Sequence, residues 1–460
     1  MPDELRILTA SDFIVPIIWV PILLFVLAFV RVRYMGSEPW NKYLLAGFVV
    51  RLVSIIFFAI IYQFVYGTGD TFLYYQEAVN IRSALFNGDV SSFFQLIFAS
   101  YEQYSPTTLT YVSEAYIHEA SHNHLMVVIA GLFNLFAHNS YITIAVFLMV
   151  YSYFGMWQLY TYLCRLYPER YQALAVIFLF LPTPFFWASG VMKEPLCMGA
   201  VGLIVTALLK LIHKEGNVKL HLLYILFNSL LLYNIKGYIL LCLAGACLLA
   251  SVLVLVSKIA QSKRFSFLRM GAYLALGIIT VLALNKMVES FETEGAQTIL
   301  KQIGTTQAAQ MIANDESGGS GYTLSEFNPT PTGVIIFASS ALNTTLFRPY
   351  FWELKKVIML LNALEAFLTL LISIAVLYYA GIRTTIHTFR YSYLFQVCLF
   401  FTIFLGVVVG IISFNYGTLV RYKAPLLPFY FLSLLLLYHN EKAKRERGKH
   451  CLQCAPKRGV

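Results

Sequence analysis

The chain is built of long apolar runs separated by short polar connections, with neither helical stripes nor strand-like alternation dominating. Runs of about 18 or more apolar residues predict membrane-crossing helices, because ~20 residues rising ~1.5 Å each span the hydrocarbon core. Helices also pair their own backbone amides and carbonyls, as a lipid environment demands. Eleven such runs occur: 13–30, 43–66, 139–163, 171–188, 195–212, 219–235, 237–257, 270–287, 357–379, 391–414 and 424–438. The predicted fold class is an all-α polytopic transmembrane bundle, with residues 1–438 as one domain and 439–460 as a basic cytoplasmic tail. Two long connections, about 67–138 and about 288–356, interrupt the pattern. The first carries amphipathic stretches, Thr71 to Leu85 and Phe93 to Tyr101, which predict helices lying along the interface. The second contains Ser317-Gly318-Gly319-Ser320-Gly321, a flexible tip. The first run follows Asp3, Glu4 and Asp12 rather than a basic segment, so it reads as a first helix and not as a cleaved leader.

Charge gives the bundle a direction. Arg31, Arg33 and Lys42 lie between the first two runs, Arg165 and Arg170 after the third, and Lys210, Lys214 and Lys219 after the fifth. Lys258, Lys263, Arg264 and Arg269 follow the seventh, and Arg383 and Arg390 the ninth. Every second connection is thus basic, which predicts an outside N-terminus, a cytoplasmic C-terminus and a plasma (bacterial inner) membrane location. Of 23 Asp and Glu, only Glu38, Glu169, Glu215, Glu441 and Glu446 fall on the inferred inner side. The composition agrees, at 59% hydrophobic and 12% charged residues over 460. A net charge of +10 would suit nucleic acid, but seven basic residues sit in the last 22 positions, where they face anionic lipid instead. No nucleic-acid partner is expected. The seven cysteines lie mostly inside apolar runs, and His450-Cys451-x-x-Cys454 is a single CxxC without a second pair.

Several polar residues stand out at the non-cytoplasmic ends of the runs. Asp70, in Gly67-Thr68-Gly69-Asp70-Thr71, is a helix cap or a surface carboxylate able to accept a proton. Lys193 and Glu194 precede Pro195, a natural first helical residue; Glu194 complements the helix dipole, and Lys193 would snorkel to headgroup phosphate. Arg348-Pro349-Tyr350-Phe351-Trp352-Glu353 holds an Arg and a carboxylate in a stiff aromatic stretch, and Arg421-Tyr422-Lys423-x-Pro425 opens the last run. Guanidinium groups fork onto phosphate, so Arg348 and Arg421 are the anionic-ligand candidates, with Lys423 beside them. Arg51 and Glu365 lie well inside their runs, and pairing across the second and ninth spans would offset their cost in lipid. His118-Glu119-Ala120-Ser121-His122 matches H-E-x-x-H, in which His118 and His122 would bind zinc from one helical face.

The external turn with Asp70, the large external loop with interfacial helices and the Arg-Tyr-x-x-Pro start of the last run resemble the GT-C class of membrane glycosyltransferases. They are similar, more closely, to bacterial polytopic proteins with a Ser-Gly-x-x-Lys-acidic turn (here Ser189 to Glu194) and an Arg-Pro-aromatic-x-Trp-Glu segment (here Arg348 to Glu353). The likeness extends from about residue 43 to 438. It implies an external active site, a polyprenyl-phosphate sugar donor and a glycan acceptor. Asp70 would be the base, and Arg421 with Arg348 would hold the donor phosphate. Glu194 joins Asp70 as a second catalytic candidate, with Lys193, Arg348, Glu353, Arg421 and Lys423 on the substrate. No cofactor is required, and a divalent metal is compatible. The paired acidic motif of many GT-C members is missing after the early span, and one N-terminal helix is extra. A polysaccharide polymerase, a lipid-linked sugar flippase and a zinc metalloprotease are the rival expectations.

Overall fold

The computed structural model describes residues 8, 11–67, 69–261, 321–322, 331–355, 357, 359–413 and 415–453. The expected span 270–287, most of the second long connection and the second cysteine of the CxxC lie outside these residues. Among the described residues there is no strand, only one isolated bridge between Gly321 and Asn415. Among the described residues, seven helices are long and apolar enough to cross a membrane, or eight if one bent pair is a single span. The protein is an all-α bundle of membrane-crossing type. It divides into two compact units, residues 1–240 and 241–460.

Unit 1 contains α1 (Ser11–Tyr34), α2 (Pro39–Tyr66), α6 (Tyr141–Leu166) and α7 (Lys193–Ile212) as candidate spans. Between α2 and α6 lie α3 (Asp70–Phe86), α4 (Val90–Phe98) and α5 (Ser121–Ala137). α8 (Val218–Gln261) begins in unit 1 and continues into unit 2. Its one non-helical residue is Lys236 (φ −149°, ψ 73°), which falls between the expected runs 219–235 and 237–257.

Glycine sets the central seam. A Cβ on Gly155 of α6 would collide with the carbonyl oxygen of Gly199 on α7, and one on Gly202 would meet the Gly155 carbonyl. Small residues let the two backbones touch, as helices in lipid commonly do. Further along, the Tyr162 hydroxyl donates to the Leu209 carbonyl at 3.4 Å. Residue numbers rise together along the seam, so α6 and α7 run parallel, and the intervening chain must return to the starting end. Gly155→Ala is expected to force the seam apart and cost ~1–3 kcal/mol by overpacking. A lowered unfolding midpoint in detergent would register it; an unchanged midpoint would contradict the seam.

The returning segment is not one helix. Tyr171–Ala175 is α-helical, Val176–Phe180 is a π-helix and Pro182–Trp187 is α-helical again. Leu181 is extended (φ −61°, ψ 126°), the conformation a following proline favours. Aromatic contacts carry the segment along α2: Phe180 meets Tyr43 at 5.9 Å, while Phe186 and Trp187 meet Phe58 at 5.1 and 6.1 Å.

The first long connection, between α2 and α6, folds on itself. Ile81 packs where Gly131 of α5 has no side chain, and Asn134 donates to the Ala78 carbonyl at 3.1 Å. Of the two stretches expected to lie along the interface, the first is therefore the core of this connection, because α3 buries Tyr74, Glu77, Ala78 and Ile81.

Unit 2 holds α9 (Pro331–Phe347), α10 (Met359–Tyr391), α11 (Tyr393–Ile412), α12 (Tyr416–Tyr422) and α13 (Leu427–Gln453). α10 is broken at Gly381, whose φ of 66° glycine tolerates best. α12 and α13 meet at a 61° bend. α13 runs on through residue 453, so the described part of the expected tail is helical rather than a separate segment.

Candidate functional site

At one end of unit 1, short side-chain contacts tie four elements together. Gly67 (φ 71°) and Gly69 (φ 136°) turn the chain sharply after α2, and Asp70 becomes the first residue of α3. Its carboxylate is half-buried in the first helical turn, where it complements the helix dipole. Thr71 shares a 2.7 Å hydrogen bond with the Tyr141 hydroxyl, which also accepts from the Val191 amide at 3.3 Å. This links α3, the start of α6 and the turn before α7. That turn is tight: Ser189 donates to the Phe185 carbonyl at 2.6 Å, and a Cβ on Gly190 would strike the Phe58 ring.

Lys193 and Glu194 open α7, so Pro195 is its third residue rather than its first. Neither charge snorkels. The Lys193 ammonium is 6% exposed and donates to Asn123 Oδ1 at 2.6 Å, and the same oxygen accepts from the Tyr74 hydroxyl at 3.0 Å. It also lies 5.8 Å from the Tyr74 ring centre. Glu194 accepts from Lys236 Nζ at 2.7 Å, with the two side chains 1% and 9% exposed. The helix break at Lys236 thus brings an ammonium to the head of α7. Asp70, Lys193 and Glu194 gather at this end as candidates from the sequence. Tyr74, Asn123 and Lys236 belong with them and were not foreseen.

The H-E-x-x-H segment folds differently from a zinc helix. Ala120 is extended (φ −84°, ψ 106°), so His118 ends one helix and His122 begins the next, and they share no face. Glu119 and His122 are exposed, whereas His118 is buried. His118 Nε2 reaches Glu77 Oε2 at 3.1 Å, and its Nδ1 meets the Tyr104 hydroxyl at 3.1 Å. His124 Nε2 must carry a proton to reach the Leu96 carbonyl at 2.7 Å. Facing a carboxylate, His118 Nε2 donates to Glu77, and in that neutral tautomer Nδ1 accepts from the Tyr104 hydroxyl. The other Glu77 oxygen accepts the amides of Ser113 and Glu114 at 2.9 and 2.8 Å. One buried carboxylate ties α3 to the rest of the connection. No group of three or more His, Cys, Asp or Glu among the described residues could hold a metal. Partial desolvation by neighbouring atoms, and then the nearby Lys193 charge, pull the otherwise exposed His122 below its ordinary value.

Unit 2 carries the remaining candidates. The Arg348 guanidinium grips Glu353, with Nε at 2.9 and 3.1 Å from its oxygens and Nη2 closer still. The Tyr350 amide donates to the same carboxylate at 2.8 Å. Tyr322 and Tyr416 rings lie 5.6 Å from the guanidinium carbon. Arg348 is thus engaged by a carboxylate rather than presented to an anion. Burial raises the Glu353 carboxyl, but the Arg348 and Tyr350 hydrogen bonds outweigh it and hold the group below the usual carboxylate range. A depressed folded value stabilises the turn above the ordinary carboxylate pKa and loses that effect as pH falls through the folded one. Protection factors at 348–353, with the intrinsic pH dependence of amide exchange divided out, are expected to be high at neutral pH and to fall in acid. In Glu353→Gln they should be low and independent of pH; an unchanged acid response there would refute the assignment.

Arg421 and Lys423, 8% and 2% exposed, lie at the end of α12 and in the bend that leads into α13. Glu365 of α10 attracts Lys423 electrostatically within unit 2. In unit 1, Arg51 is fully buried, and its three guanidinium nitrogens have no hydrogen-bond partner among the described residues. No family model matches the chain, and neither a curated protein nor a solved structure matches it.

Proposed function

We propose that the protein is a membrane glycosyltransferase that uses a polyprenyl-phosphate-linked sugar at the non-cytoplasmic face, in cell-surface glycan assembly. One observation carries the reading: a half-buried carboxylate, Asp70, opens a helix at the same end of unit 1 as a buried lysine oriented by Asn123 and Tyr74. In the proposed step, Asp70 takes the proton of an acceptor hydroxyl as that oxygen bonds to the anomeric carbon. The bond from that carbon to the donor phosphate breaks, and the phosphate leaves with the electron pair. Lys193 stabilises the charge that develops on it. Within unit 2, Arg421 and Lys423 are the cations proposed for phosphate, and Glu353 holds Arg348. Glu194 keeps Lys236 in place, a positioning role. The topology proposed with this reading has eleven crossings, an outside N-terminus and a cytoplasmic C-terminus, in a bacterial inner membrane.

A lipid-linked sugar flippase is the second reading. It is favoured by helix breaks at Lys236, Gly381 and the α12–α13 bend, two of which carry buried lysines. A polymerase would share the transferase chemistry with a lipid-linked glycan as acceptor. Proteoliposomes holding a labelled lipid-linked sugar and an acceptor separate the classes. The transferase reading expects a new glycosidic bond; movement of the label between leaflets without one would replace it with the flippase.

A further inference from the structure

The first external connection carries an apolar stripe that nothing in its own fold covers. Phe86, Val90, Phe94 and Phe98 are spaced four apart and are 60%, 49%, 52% and 78% exposed. Residues four apart share a helix face, so Val90, Phe94 and Phe98 line one side of α4, while Phe86 ends α3 just before the turn at Gly88. The opposite face of α4 buries Ser92, Phe93 and Leu96. The Phe94 and Phe98 rings stack at 6.1 Å, which keeps the stripe flat. No residue of α4 is ionisable.

The position of the stripe identifies what covers it. At its α3 end, the Arg82 guanidinium lies 4.0 Å from the Phe86 ring centre and bonds His138 Nδ1 at 3.2 Å. His138 terminates α5, and the chain begins the candidate span α6 at Tyr141. The stripe therefore starts at the level where α6 leaves the bilayer. α5 contributes Leu132 and Phe136, 40% and 59% exposed, and the Phe136 carbonyl accepts from Trp19 Nε1 of α1 at 3.1 Å. None of the apolar window of α1 is buried by protein, so this edge continues directly into a lipid-facing helix. A basic group at headgroup level beside an uncharged aromatic face is the pattern of a helix seated in the interface. A soluble partner would have no use for the continuity with α1.

We infer that Phe86, Val90, Phe94 and Phe98 seat in the acyl-chain edge of the leaflet at the Tyr141 end of α6, docking the connection onto the bilayer surface. The docked element is α4 with the end of α3, whereas the body of α3 stays packed on α5. This docking requires the bilayer and not the transferase chemistry, so either can fail alone. The test places the photoreactive phenylalanine analogue p-benzoyl-phenylalanine at 94 or 98, and at the exposed positions Asn87 and Ser91 as controls. The full chain is irradiated in proteoliposomes of phosphatidylethanolamine and phosphatidylglycerol, and adducts are identified by mass. Lipid adducts at 94 and 98 should exceed those at 87 and 91 several-fold. Protein adducts at 94 and 98, equal lipid labelling at all four positions, or no lipid adduct at 94 and 98 would each overturn the inference.

Discussion

Asp70→Asn is expected to cut glycosidic bond formation by ~10²–10⁴-fold, the usual contribution of a positioned general base. The substitution keeps the size of the side chain and its place in the first turn of α3. The charge–dipole interaction it removes is worth ~0.3–1 kcal/mol, and the isosteric amide leaves a hydrogen-bonding side chain in place. The Thr71–Tyr141–Val191 contacts that hold the turn do not involve the Asp70 side chain. Turnover of the lipid-linked sugar and the unfolding midpoint should therefore separate, with the first collapsing and the second nearly unchanged. Turnover within a few-fold of the parent would remove Asp70 as the base.

Lys236→Met is expected to destabilise the protein by ~3–5 kcal/mol, because it leaves a buried carboxylate at Glu194 without its cation. The cost reflects the stranded charge rather than the worth of the pair. A second change that removes the charge, Glu194→Gln, should restore much of the loss. Thermal unfolding of both single variants and the double variant in the same detergent provides the cycle. Single losses that simply add would mean that the two side chains act independently. The conformational role is distinct from the energetic one: among the described residues of α8, Lys236 departs from helical angles, and its side chain meets α7 there.

Features set by local chemistry were legible in the chain. The turn and helix start around Asp70 were readable, but the cap position is Gly69 and Asp70 is the first helical residue rather than the cap. The gap between runs 219–235 and 237–257 marked the break at Lys236. What Lys236 touches could not be read, because Glu194 is 42 residues away and contact across that distance depends on packing. Glu77 was missed for the same reason. Its partners come from 36 to 41 residues downstream, and a lone Glu on a helix gives no sign that it is buried. The H-E-x-x-H spacing suggested a shared face only on the assumption of an unbroken helix, and Ala120 breaks it. Lys193 looked like a snorkelling side chain because Asn123, which holds it, lies in another helix. The Arg348–Glu353 pair was near enough in sequence to suspect, but its mutual saturation was not.

The interrupted segment between α6 and α7 bears on how the chain is made. A helix released sideways from the insertion machinery needs a complete backbone ladder, and this one is broken at Leu181–Pro182 and slackened by the π-turn before it. Alone in lipid, its unpaired carbonyls would cost more than its short apolar pieces return. Its contacts, however, run to Tyr43 and Phe58 of α2 and, through the Tyr160 hydroxyl, to α6. Both helices precede it in translation. They are already at the exit site when residues 171–187 emerge, and they provide a protein surface on which an imperfect helix can settle. Biogenesis of unit 1 then has an obligatory order: the second and third apolar helices act as the cradle for the segment that follows them.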